Sequence, residues 1–246
     1  MNKLWVFGDS FSHGHGFHES DPFYKITLPD TIDSRYWGEI VADELGLELI
    51  NCSKVGASND WILDLLLQDS SNITENDYVV IQSTYFSRFD VPHDNKFNFL
   101  HTIFKHEDNN DIKINLVGDD NITERKKEVI LDYVIHFANL PAYEYRQLNR
   151  FHKIIPLLKT KNVAFWCIRK PNDSYIDDIE ILKEPYFIKF DDEYVGAEDS
   201  HETYQSKIYQ ESNWVVNDGH IGVLGQQVMA HEVLKKFNHD YPDKRK

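Results

Sequence analysis

At 246 residues, 41% hydrophobic and 13% aromatic, the chain has the apolar content for a substantial core, and length alone leaves one large domain or two small ones open. A formal net charge of −15 argues against phosphate-mediated nucleic-acid binding, anionic membranes and polyanionic ligands, and fits a neutral or weakly charged small molecule better. No stretch reaches the roughly 18 consecutive apolar residues of a membrane span, Met1 to Trp5 shows no leader pattern, and two cysteines make no disulfide framework, so a cytoplasmic location is the default expectation.

In chain order, Lys3 to Phe7 predicts a short buried strand ended by Gly8. Arg35 to Leu45 predicts a helix with Trp37, Ile40, Val41 and Leu45 on one face and Gly46 as its natural stop. Leu47 to Asn51 is a second strand. Ser58, Asn59 and Asp60 are good N-caps for a helix carrying Trp61, Ile62, Leu65 and Leu66. Tyr78 to Gln82 is a third strand, continuous and apolar as central parallel strands are. Asn95 to Glu124, rich in Asn, Asp and His, reads as a loop insertion. Lys126 to Phe137 reads as a helix, and Pro141 opens another that stops or kinks at Pro156. Val163 to Ile168 is a fourth strand, Tyr186 to Phe190 a candidate fifth, and Leu224 to Phe237 an amphipathic C-terminal helix. Strands alternating with helices point to a single α/β domain over residues 1–246, with a loop or helical insertion around 90–140.

Two distant segments carry the chemistry. Gly8-Asp9-Ser10-Phe11-Ser12 follows the first strand directly, which places the Ser10 hydroxyl at the carboxyl edge of a sheet, where open α/β folds put their sites. The small glycine permits a sharp exit, and the Ser10 backbone N–H becomes a donor for an oxyanion. Asn217-Asp218-Gly219-His220 lies just before the C-terminal helix, so a histidine with a nearby carboxylate can reach the same edge. Serine, aspartate and histidine in that arrangement suit nucleophilic acyl transfer. As turn residues, Ser10 would be only an N-cap and Asp218 only a cap of the last helix.

Four ordered blocks resemble the SGNH or GDSL hydrolase family: Gly8 to Gly14, Trp37 to Gly46, Asn51 to Ile62 with Val55-Gly56-Ala57-Ser58-Asn59, and Asp218-Gly219-His220 with Gly225. The resemblance covers residues 3–90 and 213–237. It implies a three-layer α/β/α sandwich with a mainly parallel, flavodoxin-like sheet of about five strands. It also implies a serine esterase, without cofactor or metal, acting on a small acyl ester such as a carbohydrate O-acetyl group. Ser10 would be the nucleophile and one oxyanion donor, Gly56 a second donor through its N–H, and His220 the general base and acid. An acyltransferase on the same fold, or a binding or assembly protein that retains it, are the alternatives.

The chain departs from that family twice. After the third strand the family supplies an asparagine as third oxyanion donor, whereas this chain reads Gln82-Ser83-Thr84-Tyr85-Phe86-Ser87-Arg88. Thr84 is the expected substitute, with Ser83 an alternative and a plain turn role for either. Arg88 reads as a surface ion-pair partner ahead of a substrate contact. The family's usual spacing would put Asn217 in the acid position, but Asp218, two residues before His220, is the available carboxylate; spacing does not decide between them. His13, His15 and His18 have no metal-site spacing, and the acidic run Asp177 to Glu202, with Tyr175, Tyr186, Tyr194 and Tyr204 near or in it, reads as a solvated face with packing tyrosines. No Gly-x-Ser-x-Gly elbow, phosphate loop, His-Glu-x-x-His or Cys-x-x-Cys occurs.

Overall fold

The computed structural model describes residues 1–14, 35–84, 88–93, 98–106, 112–117, 125, 128–129, 132, 140–168, 178–188 and 223–239. The elements, in order, are β1 (Lys3–Phe7), α1 (Ser10–His13), α2 (Trp37–Glu44), β2 (Glu48–Asn51), α3 (Asn59–Asp69) and β3 (Tyr78–Ser83). They continue with β4 (Arg88–His93), β5 (Asn98–His106), β6 (Ile112–Val117), α4 (Leu140–Ile154), β7 (Asn162–Cys167) and α5 (Val223–Lys236).

The main sheet has the order β2-β1-β3-β7 and is parallel throughout. Period-two alternation divides its side chains between two layers. Leu4, Val6, Val80 and Ala164 face one layer with Ile40 and Val41 of α2 and Val233 and Leu234 of α5. Trp5, Phe7, Val79, Ile81 and Phe165 face the other, with Ile62 and Leu66 of α3 and Leu148 and Phe151 of α4. Helices thus cover both faces, giving the expected α/β/α sandwich. Each fully buried Leu or Ile in these layers contributes about 1.5–3 kcal/mol.

Local signals in the sequence account for the helix ends. The Ser58 hydroxyl accepts from the Trp61 N–H at 3.0 Å and caps α3. Helix α2 runs into Gly46, whose φ of +63° ends it in the left-handed conformation that glycine adopts without strain. Pro141 lies in the first turn of α4, and a 3-10 turn at Ile155–Leu157 containing Pro156 closes that helix.

Among the described residues, the candidate fifth strand contributes a single parallel bridge, Phe165 with Phe187, held by Phe165 N–H to Tyr186 O at 2.9 Å and Ile188 N–H to Phe165 O at 2.8 Å. Pro185 precedes it, and the Phe187 N–H, which points away from β7, bonds back to Glu184 O at 3.0 Å, so the chain enters the bridge directly from a turn. The stretch read as a loop or helical insertion contains a three-stranded antiparallel sheet of order β4-β5-β6. Its register runs from Arg88 opposite Ile103 to His93 opposite Asn98, and from His101 opposite Val117 to His106 opposite Ile112. Pro92 has no N–H to give a ladder, and its strand β4 is an outer one of the three. The expected helix Lys126 to Phe137 falls largely outside the described residues, as do Lys189 and Phe190.

Candidate active site

Strand β1 lies between β2 and β3, so the chain leaves it towards one side while β3 flanks the other. Such a switch point opens a crevice at the carboxyl ends of the strands. The exit from β1 is tight. A Cβ on Gly8 would stand 2.7 Å from both Gln82 Oε1 and the Ser12 side chain, so a larger residue would push β3 and the turn apart. Asp9 then caps α1, its Oδ1 accepting from the Phe11 N–H at 3.0 Å. Ser10 is the first residue of α1 and only 4% exposed.

Several side chains pin this turn. Gln82 Nε2 donates to Asp9 Oδ1 at 2.6 Å while its Oε1 accepts from the Ser12 hydroxyl, joining β3 to both ends of the turn. The Trp37 indole N–H donates to Phe11 O at 3.1 Å. From the end of β2, Asn51 Nδ2 reaches Ser12 O and His13 O, each at 3.3 Å. His13 Nδ1 lies 3.1 Å from Ser53 O. Asn51 also explains why a polar residue ends an otherwise sheet-forming strand: it is a brace for the serine turn.

The Asp9 carboxylate is fully buried, and its second oxygen accepts from Thr84 Oγ1 at 2.6 Å and from Arg88 Nη1 at 2.7 Å. Arg88 is itself buried, so it is an ion-pair partner but not a surface one. The physical reason is that a carboxylate withdrawn from water costs several kcal/mol unless paired and hydrogen-bonded, and Arg88, the first residue of β4, supplies the cation. The same Arg88 Nη1 lies 2.8 Å from Thr84 Oγ1 and 3.4 Å from Ala57 O.

Thr84 is held on its backbone as well. Its N–H donates to Asn59 Oδ1 at 2.8 Å, and Asn59 Nδ2 donates to Thr84 O at 3.2 Å. The Thr84 hydroxyl has one proton, and Asp9 accepts it. Donation to an oxyanion would require that bond to be given up. Ser83, the alternative, is fully buried. Gly56 sits in the turn after β2 with φ +76°, a conformation strained for any side chain, and this turn is fastened to the strand exit by the Lys54 N–H to Gly8 O at 3.1 Å.

No family model and no curated protein matches the chain. Among solved structures it is similar to a lipase/acylhydrolase from Enterococcus faecalis, at 13% identity over 98% of both chains with a TM-score of 0.46. It is also similar to a psychrotrophic esterase from Pseudoalteromonas sp., at 12% identity over 97% of both chains with a TM-score of 0.43. A third is a member of the lipolytic G-D-S-L family from Veillonella parvula, at 13% identity over 97% of this chain and 99% of that one, with a TM-score of 0.43.

His220, Asp218 and Asn217 lie outside the described residues, as do His15, His18, Asp177, Tyr175, Tyr194, Tyr204 and the acidic run from Asp191 to Glu202. The half-buried Tyr186 packs against the core on the α3 and α4 side of the sheet. Helix α5 begins at Val223, three residues beyond His220, and its Gln226 Oε1 accepts from the Trp37 N–H at 2.9 Å. One residue, Trp37, therefore links the first turn of α5 to the serine turn. Among the described residues no group of His, Cys, Asp and Glu could hold a metal ion, and no helix is long and apolar enough to cross a membrane. Sequence reasoning missed Gln82, Asn59 and the burial of Arg88. The available signal was Asp9 itself, a carboxylate directly after a buried strand that needs a cation near the same sheet edge.

Proposed function

We propose that the protein is a serine esterase that hydrolyses a small acyl ester through an acyl-serine intermediate. The observation that carries this reading is the position of Ser10: at the switch point of the parallel sheet, in a turn fixed from β2, β3 and α2. Fixing a nucleophile in this way removes orientational freedom before the substrate arrives. Ser10 Oγ attacks the acyl carbon and passes its proton to His220, which returns it to the leaving alcohol. Water then enters by the same route, and the acid is released. The N–H groups of Ser10 and Gly56 donate to the oxyanion, a preorganised contribution worth about 3–4 kcal/mol per donor. Asp218 orients His220 and stabilises the imidazolium. No cofactor or metal takes part. The acidic surface suits a neutral ester, and a carbohydrate O-acetyl group is the substrate class proposed.

A second reading is a binding protein on the same fold. Engagement of the Thr84 hydroxyl by Asp9 favours it, because the third donor after β3 is then missing. Labelling with a serine-directed phosphonate, followed by peptide mass mapping, separates the two. Modification at Ser10 alone, abolished in Ser10→Ala together with at least about 10⁴-fold of the esterase activity, is the expected result. An unlabelled protein, or full activity in Ser10→Ala, removes the esterase mechanism.

A further inference from the structure

We infer that Arg88 is a positioning residue that staples together the two halves of the oxyanion hole. One guanidinium nitrogen makes the contacts that matter. Arg88 Nη1 lies 2.7 Å from Asp9 Oδ2 and 3.4 Å from Ala57 O. Asp9 is the residue before Ser10, and Ala57 the residue after Gly56. The backbone N–H groups of Ser10 and Gly56 are therefore each one residue from an Arg88 contact. Their separation is what an oxyanion would sense, and this staple spans it.

The other donors to Asp9 do a different job. Phe11 N–H, Gln82 Nε2 and Thr84 Oγ1 are neutral; they orient the carboxylate within the turn or against β3. Arg88 brings the positive charge to Asp9, and its contact with Ala57 O ties that carboxylate to the Gly56 turn. Nη1 also lies 2.8 Å from Thr84 Oγ1, so its two N–H groups are shared among three acceptors in directions set by the planar guanidinium, whereas a lysine ammonium, although it has three donors, sits on a flexible stem that does not fix their directions. Arg88 also begins β4, so the staple runs from the serine turn into the antiparallel sheet. A displacement of that sheet would be transmitted to the spacing of the two N–H groups.

This inference rests on the esterase reading for its kinetic consequence, but its structural part stands apart. Arg88→Lys keeps the charge and loses the fork. In the folded variant, kcat should fall about 10–100-fold, as a small misplacement of catalytic groups does. KM should stay within about a factor of two to three, because the donors act on developing charge rather than on bound substrate. In Arg88→Ala, an added alkylguanidinium well below denaturing concentration should restore part of kcat, and an alkylammonium should not. Amide hydrogen exchange read in both variants should quicken at Phe11, bonded to Asp9 in the serine turn, and at Ala57, bonded to Lys54 O in the Gly56 turn, while β7 keeps its protection.

An unchanged kcat in folded Arg88→Lys, or a loss of activity that only follows the unfolded fraction, would overturn the staple. So would a change confined to KM. If wild-type protein takes no phosphonate and hydrolyses no ester, the esterase reading fails by itself, and exchange at Phe11 and Ala57 alone then judges the staple. Should Arg88→Ala not fold, Arg88→Lys decides the matter: exchange that is unaltered at both amides, or quickened equally throughout the sheet, rejects the inference.

Discussion

Thr84 carries two loads on one short side chain: its backbone is bracketed by Asn59 and its hydroxyl proton goes to Asp9. Thr84→Val keeps the shape and leaves a buried carboxylate oxygen with one donor fewer, a loss of about 1–3 kcal/mol in urea unfolding. Thr84→Ser keeps the hydroxyl and should retain most of that stability. If Thr84→Val instead lowered kcat tenfold or more with unaltered stability, Thr84 would regain the oxyanion role expected from the sequence. Beside His220 the choice of acid turns on charge. An ionised carboxylate fixes the imidazole tautomer and also stabilises the imidazolium, whereas a neutral amide does only the first. Asp218→Asn should therefore lower kcat by roughly 10²–10⁴-fold and Asn217→Ala by about 10-fold or less, measured alongside thermal melts of both variants. Ser10 is legible as a turn residue close behind an apolar strand, and Gly56 as the glycine of the turn that leads into α3. The partner of Arg88 is not legible, since Asp9 lies 79 positions away and meets it only because β1 and β3 pair side by side.

At the level of elements, β1, β3 and β7 announce themselves as short continuous apolar runs, because both of their faces are covered. The antiparallel strands do not. Strand β5 reads Asn-Phe-Leu-His-Thr-Ile-Phe-Lys-His, in which β-favouring Phe, Thr and Ile are interleaved with residues that also favour loops. Its partners are fixed by pairing across the sheet rather than by local preference. The contact of α3 with α4 is likewise invisible locally. Asp60 of α3 accepts from the Tyr143 hydroxyl, from Gln147 Nε2 at 2.9 Å and from the Arg150 guanidinium, all on α4. Burial by itself would raise the Asp60 pKa, but these donors and the Arg150 charge outweigh it and hold the carboxyl below its usual range. A group depressed in the folded state stabilises the fold above its unfolded pKa of about 3.9 and loses that contribution as pH falls through the lower folded value. Asp60→Asn should therefore melt below wild type at pH 7, and the gap should close as the melts are taken into the acid range below pH 4. Because Asp60 and Arg150 are each about a third exposed, added salt should narrow the gap at pH 7 as well.

The described residues form a parallel sheet between two helical layers and a second, antiparallel sheet, with a polar network gathered at the carboxyl edge of the first and an excess of negative charge over the chain. That network joins residues far apart in sequence: Asp9 with Gln82, Thr84 and Arg88 at separations of 73, 75 and 79 residues. Loops of this length must close before any of the bonds repays the entropy lost. A folding chain that has collapsed its apolar strands, with Arg88 not yet docked, carries an uncompensated carboxylate in its interior. It does better to leave the serine turn open to water. The order of assembly expected from this is that the sheet consolidates first and the nucleophile is set last. On mild heating the expected order is the reverse: phosphonate labelling at Ser10 should fall at temperatures where circular dichroism still reports intact helices and strands.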